Sequence, residues 1–104
     1  MDPSFTDKVI QIIKSIPHGK VTNYGTVATL AGAPRRAREV GYILHTFTKK
    51  YNLPWQRVIN RDGYLSIRGG DVNMKALQKK LLEEEGIEVS KDFMVDLDKY
   101  GWFG

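Results

Sequence analysis

Gly32-Ala33-Pro34 separates two apolar patterns of helical period, and no other stretch limits the fold as much. Before it, Thr22 or Asn23 can cap a short helix that turns Val27, Leu30 and Ala31 inward. After it, Pro34 suits the first turn of a second helix, running to about Thr46, which directs Ala37, Val40, Gly41 and Leu44 to the core. Arg35, Arg36, Arg38 and Glu39 then fall on exposed positions. A short helix, a glycine turn and an arginine-rich helix form the pattern of a helix-turn-helix, although many paired helices share it.

The flanking segments fit one domain over residues 1–104. A first helix begins at Asp2-Pro3-Ser4, buries Phe5, Val9, Ile12, Ile13 and Ile16, and stops at Pro17-His18-Gly19. Residues 47–52 read as a lysine-bearing loop. Val58-Ile59-Asn60 and Tyr64-Leu65-Ser66-Ile67 read as a hairpin about Arg61-Asp62-Gly63, in the place of a wing. A last long helix, capped by Asp71, is expected to bury Met74, Leu77, Leu81 and Leu82 and to close at Gly86. Glu83-Glu84-Glu85 at its end opposes the helix dipole. Residues 87–104 read as a strand-like or irregular tail. The expected class is mainly α, a winged helix-turn-helix domain with a small β-hairpin wing.

Charge and composition narrow the function. Residues 1–70 carry 11 Lys and Arg against 4 Asp and Glu, whereas residues 71–104 carry 5 against 8. A cationic body followed by an acidic tail suggests one face that meets a polyanion. With no cysteine, the chain has no disulfide, no thiolate nucleophile and no cysteine-based zinc site. His18 and His45 alone make a poor metal set, so neither metal nor cofactor is expected. No apolar run reaches the roughly 20 residues that span a bilayer, and Met1-Asp2-Pro3-Ser4 does not resemble a signal peptide. A soluble monomer is expected, without membrane contact: cytoplasmic or nucleoid-associated in a bacterium, nuclear in a eukaryote.

Three blocks then resemble a known family: Lys20-Val21-Thr22-Asn23-Tyr24-Gly25, Pro34-Arg35-Arg36-Ala37-Arg38-Glu39-Val40-Gly41 and Pro54-Trp55-Gln56-Arg57-Val58. They are similar to the C-terminal domain of the O6-alkylguanine-DNA alkyltransferases, and Leu81-Leu82-Glu83-Glu84-Glu85-Gly86 is similar to its closing block. In the transferases the third block reads Pro-Cys-His-Arg-Val, and its cysteine accepts the alkyl group. Trp55 at that position resembles the alkyltransferase-like proteins, which bind O6-alkylguanine without repairing it and present it to nucleotide excision repair. Gln56 departs from the family histidine, and Phe47 departs from a hinge asparagine.

The resemblance implies roles residue by residue. The second helix of the motif enters the minor groove, where small Ala37 and Gly41 permit close approach, though they could equally serve helix packing. Arg38 fills the stack left by an extruded nucleotide; a planar cation both stacks and donates hydrogen bonds. Arg35, Arg36, Lys49 and Lys50 are candidates for phosphate contact. The lesion pocket takes in Tyr24, Leu44, Trp55, the backbone of Val58, the amide of Gly69 and Arg68, whose cation can lie over the base. Tyr24 also crowds a phosphate, while Arg57 and Glu85 are structural. No residue is catalytic. The expected partners are duplex DNA containing O6-alkylguanine and nucleotide excision repair proteins. Two other readings stay open: a winged-helix transcription regulator, which leaves Pro54–Val58 unexplained, and a transferase with another nucleophile, for which Trp, Gln and Glu are poor alkyl acceptors.

Overall fold

A computed structural model describes the backbone of residues 3–65 and 72–104. Helix α1 (Pro3–Lys14) leads to strand β1 (Thr22–Asn23) and helix α2 (Tyr24–Leu30). A 3-10 turn (Pro34–Arg36) opens helix α3 (Ala37–Tyr51), and a second one (Trp55–Arg57) opens strand β2 (Val58–Ile59). Helix α4 (Val72–Glu84) and the single turn α5 (Leu97–Tyr100) complete the chain.

The helix-turn-helix forms as expected, and its local chemistry is plain. Asn23 caps α2, its Oδ1 accepting from the Thr26 amide at 2.8 Å. At the other end Gly32, with φ +85°, closes a Schellman turn. The Ala33 amide there donates to Ala28 and the Gly32 amide to Thr29, both at 2.9 Å. Pro34 follows at the first position of the next turn.

Helix α3 outlasts the expected end near Thr46 by five residues, so residues 47–51 are helix and not loop. Phe47 and Tyr51, one turn apart, lie with ring centroids 5.9 Å apart, and Lys49 and Lys50 fall in the last turn, where cations suit the helix dipole. The stop signal is Asn52, whose left-handed φ of +51° is one that asparagine tolerates.

Beta structure is where the wing expectation changes. The turn at residues 60–64 forms, with Asn60 Oδ1 accepting from the amides of Asp62 and Tyr64 at 2.9 Å. Yet Val58–Ile59 pairs in parallel with β1, in the register Thr22 to Val58 and Asn23 to Ile59. Tyr64 instead bridges antiparallel to Met94 in the tail. Ser66 and Ile67, the rest of the expected second strand, and the Asp71 cap lie outside the described residues.

Strand β2 divides the core. Successive strand residues point to opposite faces, and Val58 joins a cluster made by α1, α2 and α3 (Phe5, Val9, Ile13, Val27, Val40, Ile43, Leu44). Ile59 joins another, with Val21, Leu65, Leu82, Ile87 and Val95. The tail is therefore structural: Val21 bridges to Gly101, and Trp102 reaches back onto the first cluster.

Helix α4 contradicts the expected inward face. Leu82 is buried, but Met74 and Leu77 are 36% and 43% exposed, whereas Gln78 is only 2% exposed. Gln78, Leu82 and Glu85 recur at helical spacing, and the helix turns this partly polar stripe inward because two of its members bond the Trp55–Val58 segment. No described helix is long and apolar enough to cross a membrane.

Candidate functional site

Pro54-Trp55-Gln56-Arg57-Val58 is too short for an element with a core of its own, so its shape comes from hydrogen bonds. The Trp55 amide donates to Leu53 O at 2.8 Å, the Arg57 amide to Pro54 O at 3.0 Å, and the Val58 amide to Trp55 O. Arg57 locks the turn from behind. Its Nε donates to Glu85 Oε1 at 2.9 Å, and its Nη1 to Ile16 O at 2.9 Å. The Glu85 carboxylate also accepts from the Gly19 amide and from Gln56 Nε2, both at 2.9 Å. One carboxylate thus joins three segments: the turn after α1, the Trp55 turn and the end of α4.

The Arg57–Glu85 pair is well shielded, with side chains 17% and 6% exposed. Burial pushes the Glu85 carboxyl upward, but bonds from Gly19, Gln56 and Arg57, with the Arg57 charge, outweigh it and leave the pKa below its ordinary value. Arg57 is thus held by a carboxylate, that of Glu85, and by the Ile16 carbonyl. Gln56, where the family has histidine, is another donor to Glu85.

Above this turn lies a cavity of about 320 Å³ between α3 and α4, near the lower end of the range for small-molecule sites. It brings together Tyr24, Leu44, Trp55 and Val58, four of the six residues expected in a lesion pocket. Tyr24 opens α2, Leu44 faces in from α3, and Trp55 and Val58 come from the turn and β2. Arg68 and Gly69 lie outside the described residues. Gly41 and Lys49, expected at a DNA surface, line the same cavity.

Four lining residues were not expected: His45, Thr48, Met74 and Gln78. His45 lies on the same face of α3 as Gly41 and Leu44, and Thr48 joins it once the helix is carried past residue 46, since residues 41, 44, 45, 48 and 49 share one face. Only the tertiary fold shows Met74 and Gln78, because α4 is distant in sequence.

The arginines of the second motif block separate into two kinds. Arg35 and Arg38 are exposed. Arg36, expected at an exposed position, is instead half-buried: it bonds both Glu39 oxygens, at 3.0 and 2.7 Å, and stacks 4.0 Å from the centre of the Phe5 ring. Its hydrogen bond holds the Glu39 carboxyl below the ordinary value. Ala37 is half-buried and packs against the first core cluster. Among the described residues, no group of three or more His, Asp or Glu could hold a metal ion.

Known proteins are similar to this chain in sequence and fold. Residues 4–87 match the family model of the 6-O-methylguanine DNA methyltransferase DNA-binding domain. The chain is 45% identical over 101 residues to a DNA base-flipping protein of Escherichia coli, covering 97% of this chain and 76% of the relative. It is 37% identical over 107 residues to alkyltransferase-like protein 1 of Schizosaccharomyces pombe, covering 98% and 96%. The crystal structure of that yeast protein, Atl1, in complex with damaged DNA containing O6-carboxymethylguanine superposes with a TM-score of 0.87 at 37% identity, over 98% of this chain and 96% of that one. The match over most of the chain and the shared fold show that the chain belongs to the alkyltransferase-like family, built on the DNA-binding domain of the 6-O-methylguanine DNA methyltransferases.

Proposed function

We propose that this protein binds O6-alkylguanine in duplex DNA, extrudes the damaged nucleotide into the cavity over Trp55, and holds it without alkyl transfer. The observation that carries the reading is the cavity itself. It has the size of a small-ligand site, it opens beside the arginine-bearing helix α3, and its base is a transferase-like turn in a chain without cysteine.

The chemistry follows from these residues. An alkyl group on O6 lies in a stacked and paired base, so a protein reaches it only by removing the nucleotide from the helix. Helix α3 lies in the minor groove, with Ala37 and Gly41 allowing close approach and Arg38 occupying the vacated stack. Arg35, Lys49 and Lys50 hold phosphates, and Arg36 contributes less because Glu39 already engages it. Inside the cavity Trp55 stands where a transferase has its cysteine and offers a flat apolar wall. Tyr24 and Leu44 supply further walls, the Val58 backbone and Gly69 read the base edge, and Arg68 covers the base. With no nucleophile to complete the reaction, the bound lesion persists and marks the site for nucleotide excision repair proteins. The protein acts as a monomer.

Competitive binding tests this with duplexes that differ only in the O6 substituent, from none through methyl to a bulky group. A preference for the alkylated duplexes, with no label transferred from O6-[methyl-³H]guanine DNA to protein, supports the reading. Equal affinity for alkylated and undamaged DNA refutes it, as does transfer of label. Preference for one fixed sequence irrespective of alkylation would favour a winged-helix regulator.

A further inference from the structure

Gln78 is a costly residue for the place it occupies. It is 2% exposed, and its Nε2 donates to two main-chain carbonyls of the Trp55 turn, Gln56 O at 3.0 Å and Val58 O at 3.3 Å. Its Oε1 is buried with no hydrogen-bond partner among the described residues. An unpaired buried acceptor costs about 1–3 kcal/mol, and leucine or methionine would fill similar space without that penalty. What the amide alone supplies is its donor end, aimed at those two carbonyls.

Val58 and Gln78 both line the cavity. A carbonyl oxygen has two lone pairs, and Gln78 engages one of those on Val58. The direction of that oxygen is otherwise set by a two-residue strand and a single 3-10 turn, neither of which is stiff alone. A side chain from α4 gripping both carbonyls removes this freedom. Glu85 does the same from the other side, through the Gln56 and Arg57 side chains.

We propose that Gln78 is a positioning residue for base selection: it fixes the Val58 carbonyl so that the remaining lone pair accepts from the 2-amino group of an extruded purine. The inference rests on the lesion-binding reading above and adds how that pocket separates a 2-aminopurine lesion from a purine lacking this group. The 2-amino group is the one exocyclic donor that O6-alkylation leaves on guanine, so an acceptor of fixed direction discriminates among purines by it.

The test compares O6-methylguanine with O6-methylhypoxanthine, which lacks only the 2-amino group, each opposite cytosine in the same duplex. Wild type should favour O6-methylguanine by about 10-fold, the effect of one buried hydrogen bond. Gln78→Met, similar in volume, should reduce that ratio below about 3-fold. Differences between the duplexes themselves cancel when the ratios are compared, and a merely structural role would weaken both complexes alike. A Gln78→Met ratio equal to wild type overturns the inference, and so does a wild-type ratio near one.

A second measurement needs no variant. The side-chain ¹⁵NH₂ resonances of Gln78 in wild-type protein should shift further on binding the O6-methylguanine duplex than on binding the hypoxanthine one; equal shifts overturn the inference. If wild type binds O6-methylguanine no better than guanine, the lesion-binding reading itself fails. That outcome is distinct from failure of the Gln78 role alone.

Discussion

Removing the Glu85 carboxylate should be among the most damaging single changes to this fold. Glu85→Ala deletes the acceptor for the Gly19 amide, Gln56 Nε2 and Arg57 Nε, and among the described residues leaves the Arg57 guanidinium with its bond to Ile16 O. Breaking a shielded ion pair from one side costs about 3–5 kcal/mol, because the surviving charge stays desolvated. A domain of this size has only about 5–15 kcal/mol in all, and each kcal/mol moves the melting midpoint by about 4–8 °C, so a drop of at least about 12 °C is expected. The assay is urea and thermal unfolding followed by circular dichroism. Glu88→Ala serves as the control, because its pair with Lys99 is 3.6 Å long between exposed side chains and should matter little. Arg57→Met and the double variant complete a cycle, in which the double should lose clearly less than the two singles combined. A Glu85→Ala loss below about 1 kcal/mol, or additive losses in the cycle, would refute the claim that one carboxylate holds the three segments together.

Acid should act through the same carboxylate: since the folded pKa of Glu85 is lowered, its stabilisation is complete above the ordinary value of 4.5 and is lost as pH falls through the folded pKa. Unfolding free energy measured down that range should fall more steeply in wild type than in Glu85→Gln; equal slopes would contradict this. Gly63→Ala should destabilise by about 2–5 kcal/mol, because φ is +89° there and the new methyl would lie 2.4 Å from Val95 O. A midpoint unchanged in thermal melts would show that the turn can move. Arg38→Ala should weaken binding to an O6-methylguanine duplex more than Arg36→Ala does, since Glu39 and Phe5 already occupy Arg36. The reverse order in fluorescence anisotropy would remove Arg38 from its role, and a flat response of affinity to salt would remove the phosphate contacts.

What could be read along the chain was whatever local chemistry decides. A cap at Asn23, a glycine stop at Gly32 and a proline start at Pro34 act over a few residues, and these predict the helix-turn-helix. The Trp55 turn and the absence of cysteine are likewise linear facts. Local signals misled where burial was inferred from polarity. Lys49 and Lys50 resembled loop residues, although basic side chains also suit the last turn of a helix. Met74 and Leu77 resembled core residues, although the helix turns Gln78 inward instead. A periodic apolar pattern identifies an inward face only when the facing surface is apolar too.

The mainly helical class, the helix-turn-helix and the blocks that resemble the transferases were legible before folding is considered, because each rests on neighbours in the chain. How Trp55 and Val58 are held emerges only in the folded chain. Glu85, Gln78 and Gly19 lie 20 to 38 residues from that turn in sequence, yet they converge on it or on its Arg57 lock. Several of the partners are main-chain carbonyls and amides, which carry no identity in the sequence, so only the folded chain shows that these polar groups satisfy one another.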